Sequence, residues 1–235
     1  MRIYNSKFLS VTSIIGLRDP FNKKAFSEWC KTNGHSESLI GANSRALGSK
    51  VGRWVESHSL GLTDKLEPRF DRLEENLYSG VEKFVKDYKI LETEKEVTCG
   101  QLNYAGKLDA IIQDKKTKKK LLVDFKTYGA WRDKPYKRDS KKIKHARWQT
   151  SLYAHALDWK DKLGVVVFTN RGECLVESFE IDKEIIKWVE DNQDLILETI
   201  DKGLTSNCCG AEIEGLNAEG IGRCTECREG CSIGG

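Results

Sequence analysis

The chain has 235 residues, of which 39% are hydrophobic and 32% charged, with only three prolines. This excludes a disordered or fibrous protein and leaves room for one sizeable domain with its own core plus a small appendage. No apolar run approaches the roughly 20 residues that span a bilayer, and MRIYNSKFLS lacks a long apolar stretch before a cleavage site. A cytoplasmic protein without membrane contact is therefore expected. The net charge of +3 is modest but uneven, with basic runs at 115–120 (KKTKKK) and 134–147 (KPYKRDSKKIKHAR) that suit a polyanionic partner.

In chain order, residues 71–88 set Leu73, Leu77, Val81, Phe84 and Val85 at helical spacing, which predicts an amphipathic helix lying on a sheet. YKILETEKEVT, GKLDAII and KLLVDFKT then read as three strands, with the basic segment 114–119 making the turn between the last two. HARWQTSLYAHALDW reads as a helix, LGVVVFTN and CLVESFEI as two more strands, and DKEIIKWVEDNQDLILETIDKG as one long closing helix. This order predicts an α/β domain with a mixed sheet flanked by helices over residues 1–203. Residues 204–235, glycine-rich with closely spaced cysteines, are too poor in apolar residues to form a core without metal.

The chemistry concentrates on the second and third strands. If Gln113 pairs with Lys120 across the turn, the antiparallel register sets Asp109 opposite Asp124, with Cβ atoms roughly 4.5–5.5 Å apart. Lys126, two residues beyond Asp124, shares that face. A one-residue slip of register would separate the two aspartates and leave an ordinary cross-strand ion pair. Two carboxylates so close repel unless neutralised, and a hard divalent cation such as Mg²⁺ or Mn²⁺ does this with carboxylate oxygens. Such an ion can activate a water and polarise a phosphoryl oxygen, while Lys126 orients or deprotonates the water or stabilises charge on the phosphate.

LDAII followed by VDFKT resembles the D...(D/E)xK signature of the PD-(D/E)XK nuclease superfamily, and Gln149 and Tyr153 reproduce the QxxxY spacing of its RecB-like exonuclease branch. Four residues apart on a helix, they share a face and can meet one scissile strand. FLSVTSIIG with a downstream Trp29 resembles the opening of phage and mitochondrial genome-maintenance exonucleases in this branch, and GSKVGRWVE resembles their helix motif GTxVHxxxE. Glu56 keeps that motif's acidic position, whereas Gly52 stands where the motif has histidine, removing one metal ligand of the family. A further acidic position precedes the hairpin. Spacing alone does not choose between Glu94 and Glu96, and the family pattern favours Glu94.

The resemblance implies a restriction-endonuclease-like fold and a Mg²⁺- or Mn²⁺-dependent nuclease that hydrolyses phosphodiesters of single-stranded DNA or DNA ends. It implies phage-type recombination, replication or repair, with proteins of those processes as partners and the host cytoplasm as setting. A protein that keeps the fold and binds nucleic acid without turnover is the alternative suggested by Gly52. No GxSxG or GxxxxGKS occurs, so acyl transfer and autonomous ATP hydrolysis have no support.

For the strand itself, the segment 131–148 interleaves aromatics with cations. Trp131 and Trp148 offer faces on which bases could stack, and Lys134, Lys137, Arg138, Lys141, Lys142, Lys144 and Arg147 offer charge along phosphates. The four histidines lack partners at metal-ligand spacing and carry no assigned role.

Five of the eight cysteines fall at Cys208, Cys209, Cys224, Cys227 and Cys231. In a reducing compartment this spacing reads as a zinc ribbon or knuckle drawing four ligands from five, with Cys224 and Cys227 the safest. The rival is an iron–sulfur cluster held by Cys30 with Cys224, Cys227 and Cys231, an arrangement of some RecB-like nucleases that leaves the Cys208–Cys209 turn unused.

Overall fold

The structure, a computed structural model, describes residues 8–63, 68–128 and 136–201, together with short strands at 3–4, 213–214, 221–224 and 230–232. The predicted Trp131 and Lys134, and Cys208, Cys209 and Cys227 of the tail, lie outside the described residues, as do the side chains of Cys224 and Cys231. Among the described residues no helix is long and apolar enough to cross a membrane.

The chain opens with strands β1 (Ile3–Tyr4) and β2 (Phe8–Ser10) and helices α1 (Val11–Arg18), α2 (Lys23–Thr32), α3 (Glu37–Ser59) and α4 (Arg72–Asp87). Strands β3 (Tyr88–Cys99), β4 (Tyr104–Asp114) and β5 (Lys120–Tyr128) follow, then α5 (Lys141–Ala156), β6 (Lys162–Thr169), β7 (Cys174–Phe179), α6 (Lys183–Asp191) and α7 (Gln193–Asp201). Past α7, strands β8 (Ile213–Glu214), β9 (Ile221–Cys224) and β10 (Gly230–Ser232) pair antiparallel in a separate small sheet.

The main sheet is mixed, seven strands in the order β1-β2-β4-β5-β6-β7 with β3 paired to β4. The β2–β4 and β5–β6 pairs are parallel and the others antiparallel. One face of the sheet, through Ala110, Ile112, Val123, Val166 and Phe168, packs on α3 and α4, from which Trp54, Val55, Leu77, Val81 and Phe84 are buried. The other, through Leu108, Ile111, Leu122 and Leu163, packs on α1, α5 and α6. The result is a sheet between two helical layers, as the alternation of elements predicts.

Local sequence explains the elements that frame the site. In α4 the predicted stripe is the buried face, with Leu77, Val81 and Phe84 enclosed and Leu73 and Val85 half-buried at its margin. Its N-cap Asp71 accepts the Glu74 N–H at 2.8 Å. Between β4 and β5, Asp114 accepts the backbone N–H groups of Lys116 and Thr117 at 2.8 and 2.7 Å, which closes the lysine-rich turn. The single closing helix predicted for 182–203 is instead two. Asn192, between α6 and α7, has φ −119° and ψ 29°, and its side-chain amide donates to Trp188 O at 2.7 Å. The next side chain, Gln193, likewise donates to Val189 O at 2.8 Å, so amide side chains compete with the backbone ladder where the helix breaks.

Candidate active site

The site begins with a fork in the sheet. Strand β3 runs along one edge of β4 from Tyr104 to Asp114, whereas the other edge is shared. There β2 pairs at Tyr104 and Ala105 and β5 at Ala110–Gln113, which leaves Gly106–Asp109 between two diverging partners. Gln113 pairs with Lys120 as the sequence suggested, and the ladder's last pair is Ala110 with Val123. Continued one step, that register sets Asp109 against Asp124. The backbone parts there instead, and Asp109 Oδ2 takes the Phe125 N–H at 2.7 Å.

The cleft at the fork, about 680 Å³, is lined by Gly48, Ser49, Gly52, Arg53 and Glu56 of α3, Thr93 and Glu94 of β3, Lys107 and Asp109 of β4, Asp124, Phe125 and Lys126 of β5, and Gln149 of α5. Seven of these were not expected as site residues. Lys107 was the most legible, since it lies two residues from Asp109 and therefore on its face. An adjoining cavity joins Ser10, Val11 and Thr12 to Glu94, Lys107, Asp109, Gln149 and Tyr153.

Asp124 is 1% exposed. Its Oδ2 is ion-paired with the Lys126 ammonium, and neither carboxylate oxygen receives a well-aligned hydrogen bond. Burial pushes its carboxyl up, with Lys126 opposing. Asp109 is half-buried as a residue, yet its carboxyl is pushed up to about 7, first by desolvation and then by the charge of Asp124. The Lys126 ammonium and the Phe125 N–H offset only part of this. Burial alone would lower the pKa of Lys126, but Asp124 and Asp109 outweigh it and hold the amine protonated. From the first turn of α5, Lys142 reaches back to donate to Thr127 O beside this group, and burial together with the Lys126 charge lowers its pKa to about 8.

A desolvated carboxylate pair that Lys126 and the Phe125 N–H compensate only in part suits a hard cation. Among the described residues no group of three or more His, Cys, Asp and Glu is assembled at ligating distance. Mg²⁺ tolerates this, because it keeps several waters and binds through one or two carboxylates plus substrate phosphate. Asp109 and Asp124 fit such an ion, with Glu56 and Glu94 on the same cleft.

The geometry separates the two β3 glutamates. Glu94 takes φ 52° and lines the cleft, where it pairs with Lys107 at 2.9 Å, whereas Glu96 sits in the regular ladder opposite Lys107 and does not line it. A positive φ on a non-glycine residue is costly and marks a local constraint. On α5, Gln149 Nε2 lies 3.3 Å from Tyr153 Oη, so the two residues do share a face. A Cβ added at Gly106 would come within 2.8 Å of both Cε1 and Oη of Tyr153. Gly106→Ala is therefore expected to displace the Tyr153 ring and lower activity roughly 10-fold or more while the fold persists. Unchanged turnover, with a circular dichroism spectrum like the parent's, would show that Tyr153 need not sit there.

The basic segment requires correction. Trp148 cannot receive a base: it is 3% exposed, donates Nε1–H to Asp182 at 3.1 Å, and is covered by Arg18 and Lys144 at 4.3 and 4.5 Å and by the His145 ring at 5.6 Å. Its 3.6-residue spacing with Leu152 puts it on the core side of α5. Arg147 and Arg138 pair with Glu177 at 3.0 and 3.3 Å, and Lys141 pairs with Asp19 at 2.6 Å, so their charge is partly spent within the protein. Lys137 is exposed.

No protein-family model matches the chain, and no curated protein matches it. A crystal structure from Eubacterium rectale, of a protein provisionally named an exonuclease, is similar over 84% of this chain and 82% of its own, with a TM-score of 0.50 and 16% identity. At that identity the likeness establishes a shared fold. The protein is accordingly an α/β domain of mixed sheet and flanking helices with a carboxylate–lysine cleft at a fork in the sheet.

Proposed function

We propose that the protein is a Mg²⁺- or Mn²⁺-dependent deoxyribonuclease of the PD-(D/E)XK type, in the RecB-like exonuclease branch, acting on single-stranded DNA or DNA ends. The observation that carries this reading is Asp124, a buried carboxylate paired among the described residues only with Lys126 and set beside Asp109 at the point where β4 and β5 part. Asp109 and Asp124 would hold the ion, with Glu94 and Glu56 at its margin. The bound metal supplies a Lewis acid for a phosphoryl oxygen and a more acidic water. Lys126 places a positive charge beside the reacting phosphate, and Gln149 and Tyr153 orient the strand across the cleft. The name of the E. rectale protein agrees with this reading, and the motif resemblance supports a place in phage-type recombination, replication or repair beside proteins of those processes.

A second reading, a nucleic-acid-binding protein without turnover, is favoured by Gly52 on the cleft wall and by the missing third ligand among the described residues. Labelled single- and double-stranded DNA incubated with Mg²⁺ and with Mn²⁺ separates the two. Cleavage in either metal is expected, and tight binding with no product in both would sustain the second reading instead.

For residues 204–235 we propose a structural zinc site using four of Cys208, Cys209, Cys224, Cys227 and Cys231. Elemental analysis should find about one zinc per chain, lost in Cys224→Ala and in Cys227→Ala and kept in Cys30→Ala. Iron with sulfide, lost in Cys30→Ala, would assign an iron–sulfur cluster in its place.

A further inference from the structure

The stretch from Phe21 to His35 has no part in the cleft, yet it carries a row of rings at the surface. Phe21 meets Phe26 edge to face at 5.4 Å, Phe26 stacks on Trp29 at 6.2 Å with 19° between planes, and Trp29 meets His35 at 5.4 Å. Phe21 is 67% exposed and Phe26 and Trp29 are half-buried, and α2 buries Cys30 alone among its ten residues, so the rings stand at the surface rather than in the core. A helix earns such a surface only if something covers it.

Charge and position say what the occupant is. Three lysines of α2, Lys23, Lys24 and Lys31, are exposed against the single acid Glu28, and the nearby Asp19 is already paired with Lys141 and hydrogen-bonded to His145 at 2.6 and 2.8 Å. Those same contacts, with Lys141 donating to Pro20 O at 3.1 Å, fasten the start of the row to the first turns of α5, where Lys142 reaches Thr127 O beside Lys126. From the middle of α2, Ser27 donates to Glu37 in the first turn of α3, the helix whose later Gly48–Glu56 stretch walls the cleft. The segment is thus fastened to the N-terminal turns of both helices that line the cleft. Planar faces interleaved with cations match bases and phosphates of an unpaired strand, and stacking of this kind accepts any base.

We propose that Phe21, backed by the half-buried Phe26 and Trp29, forms a stacking platform for unpaired nucleotides, on a segment tied to both helices that line the cleft. The assignment rests on the nuclease reading above and names the single strand as what the site grips. The platform does without Trp148, whose faces are covered, and moves the stacking role from α5 to α2.

The test is fluorescence anisotropy with a short labelled oligothymidylate and with a blunt duplex, using the full chain without added divalent cation. Phe21→Ala should weaken oligothymidylate binding roughly 5- to 100-fold, from about 1–3 kcal/mol of stacking per base, and leave the duplex unchanged. Phe21→Trp should bind at least as tightly as the parent. Equal affinity in Phe21→Ala, or an equal loss for both ligands, overturns the platform. So does a change in oligomeric state by light scattering, since the row would then be a contact between copies of the chain. Cleavage by the parent in Mg²⁺ is read separately. A strand bound through Phe21 and never cut would sink the nuclease reading and leave the platform standing.

Discussion

Asp124→Asn should reduce DNA cleavage by about 10³-fold or more while DNA binding stays within a few-fold of the parent. The size follows from what the carboxylate does. A bound divalent ion supplies several kcal/mol of charge stabilisation to phosphoryl transfer, and each 1.4 kcal/mol is tenfold in rate. Asn keeps the shape of the side chain but has one weakly coordinating oxygen and no charge, in a place where Asp124 is 1% exposed and, among the described residues, ion-paired with Lys126 alone. Binding should survive because the exposed lysines of α2 and α5 are untouched, and the fold should survive because Lys126 still faces Asp109. Gel-resolved single-turnover cleavage with Mg²⁺, alongside anisotropy binding, measures both. Near-parent turnover by purified Asp124→Asn would remove this residue from the metal site and take the proposed chemistry with it.

The hairpin was legible because it is local. Alternating apolar residues, a turn closed by Asp114 and the pairing of Gln113 with Lys120 fix which residues oppose, and the Asp109–Asp124–Lys126 group follows by counting. The fork was not legible. It depends on the parallel pairing of Leu9 and Ser10 with Tyr104 and Ala105, nearly a hundred residues away, which no local period announces. The choice of Glu94 over Glu96 could be made from resemblance but not from spacing, because it rests on a left-handed φ that strand alternation would never suggest. Trp148 shows a different failure. Its neighbours Lys144, His145 and Arg147 made the segment read as a surface, while helical spacing sets Trp148 on one side with Ser151 and Leu152, three and four residues on, and all three are buried. Charge describes what flanks a side chain, and period decides where it points. The rings at the start of α2 were missed for the opposite reason: Phe26 and Trp29 at helical spacing look like core, and only the structure shows them half-buried with Phe21 left outside.

Without divalent metal the protein should become less stable as pH rises from about 4 to 7, and Mg²⁺ should reverse this above pH 7. The sign follows from Asp109, whose carboxyl moves from an ordinary 3.8 up to about 7 in the fold, mainly through burial and then through Asp124. Between those two values the unfolded chain has released the proton that the folded chain still holds. Stability from this group is therefore complete below about 4 and is lost as pH climbs through 7, with a slope of at most about 1.4 kcal/mol per pH unit. A cation competes with that proton, and it binds the fold rather than the unfolded chain, so its stabilisation grows with its occupancy once the carboxyl is ionised. Thermal melts at pH 5 and pH 8, with and without Mg²⁺, should show little shift at the lower pH and a rise of several degrees at the higher. Asp109→Asn should flatten the metal-free slope and remove most of the Mg²⁺ shift, because the proton and the ion share one group. An equal Mg²⁺ effect at both pH values, or its full retention in Asp109→Asn, would place the ion elsewhere and leave Asp109 a buried acid held by Phe125 N–H for structural reasons alone.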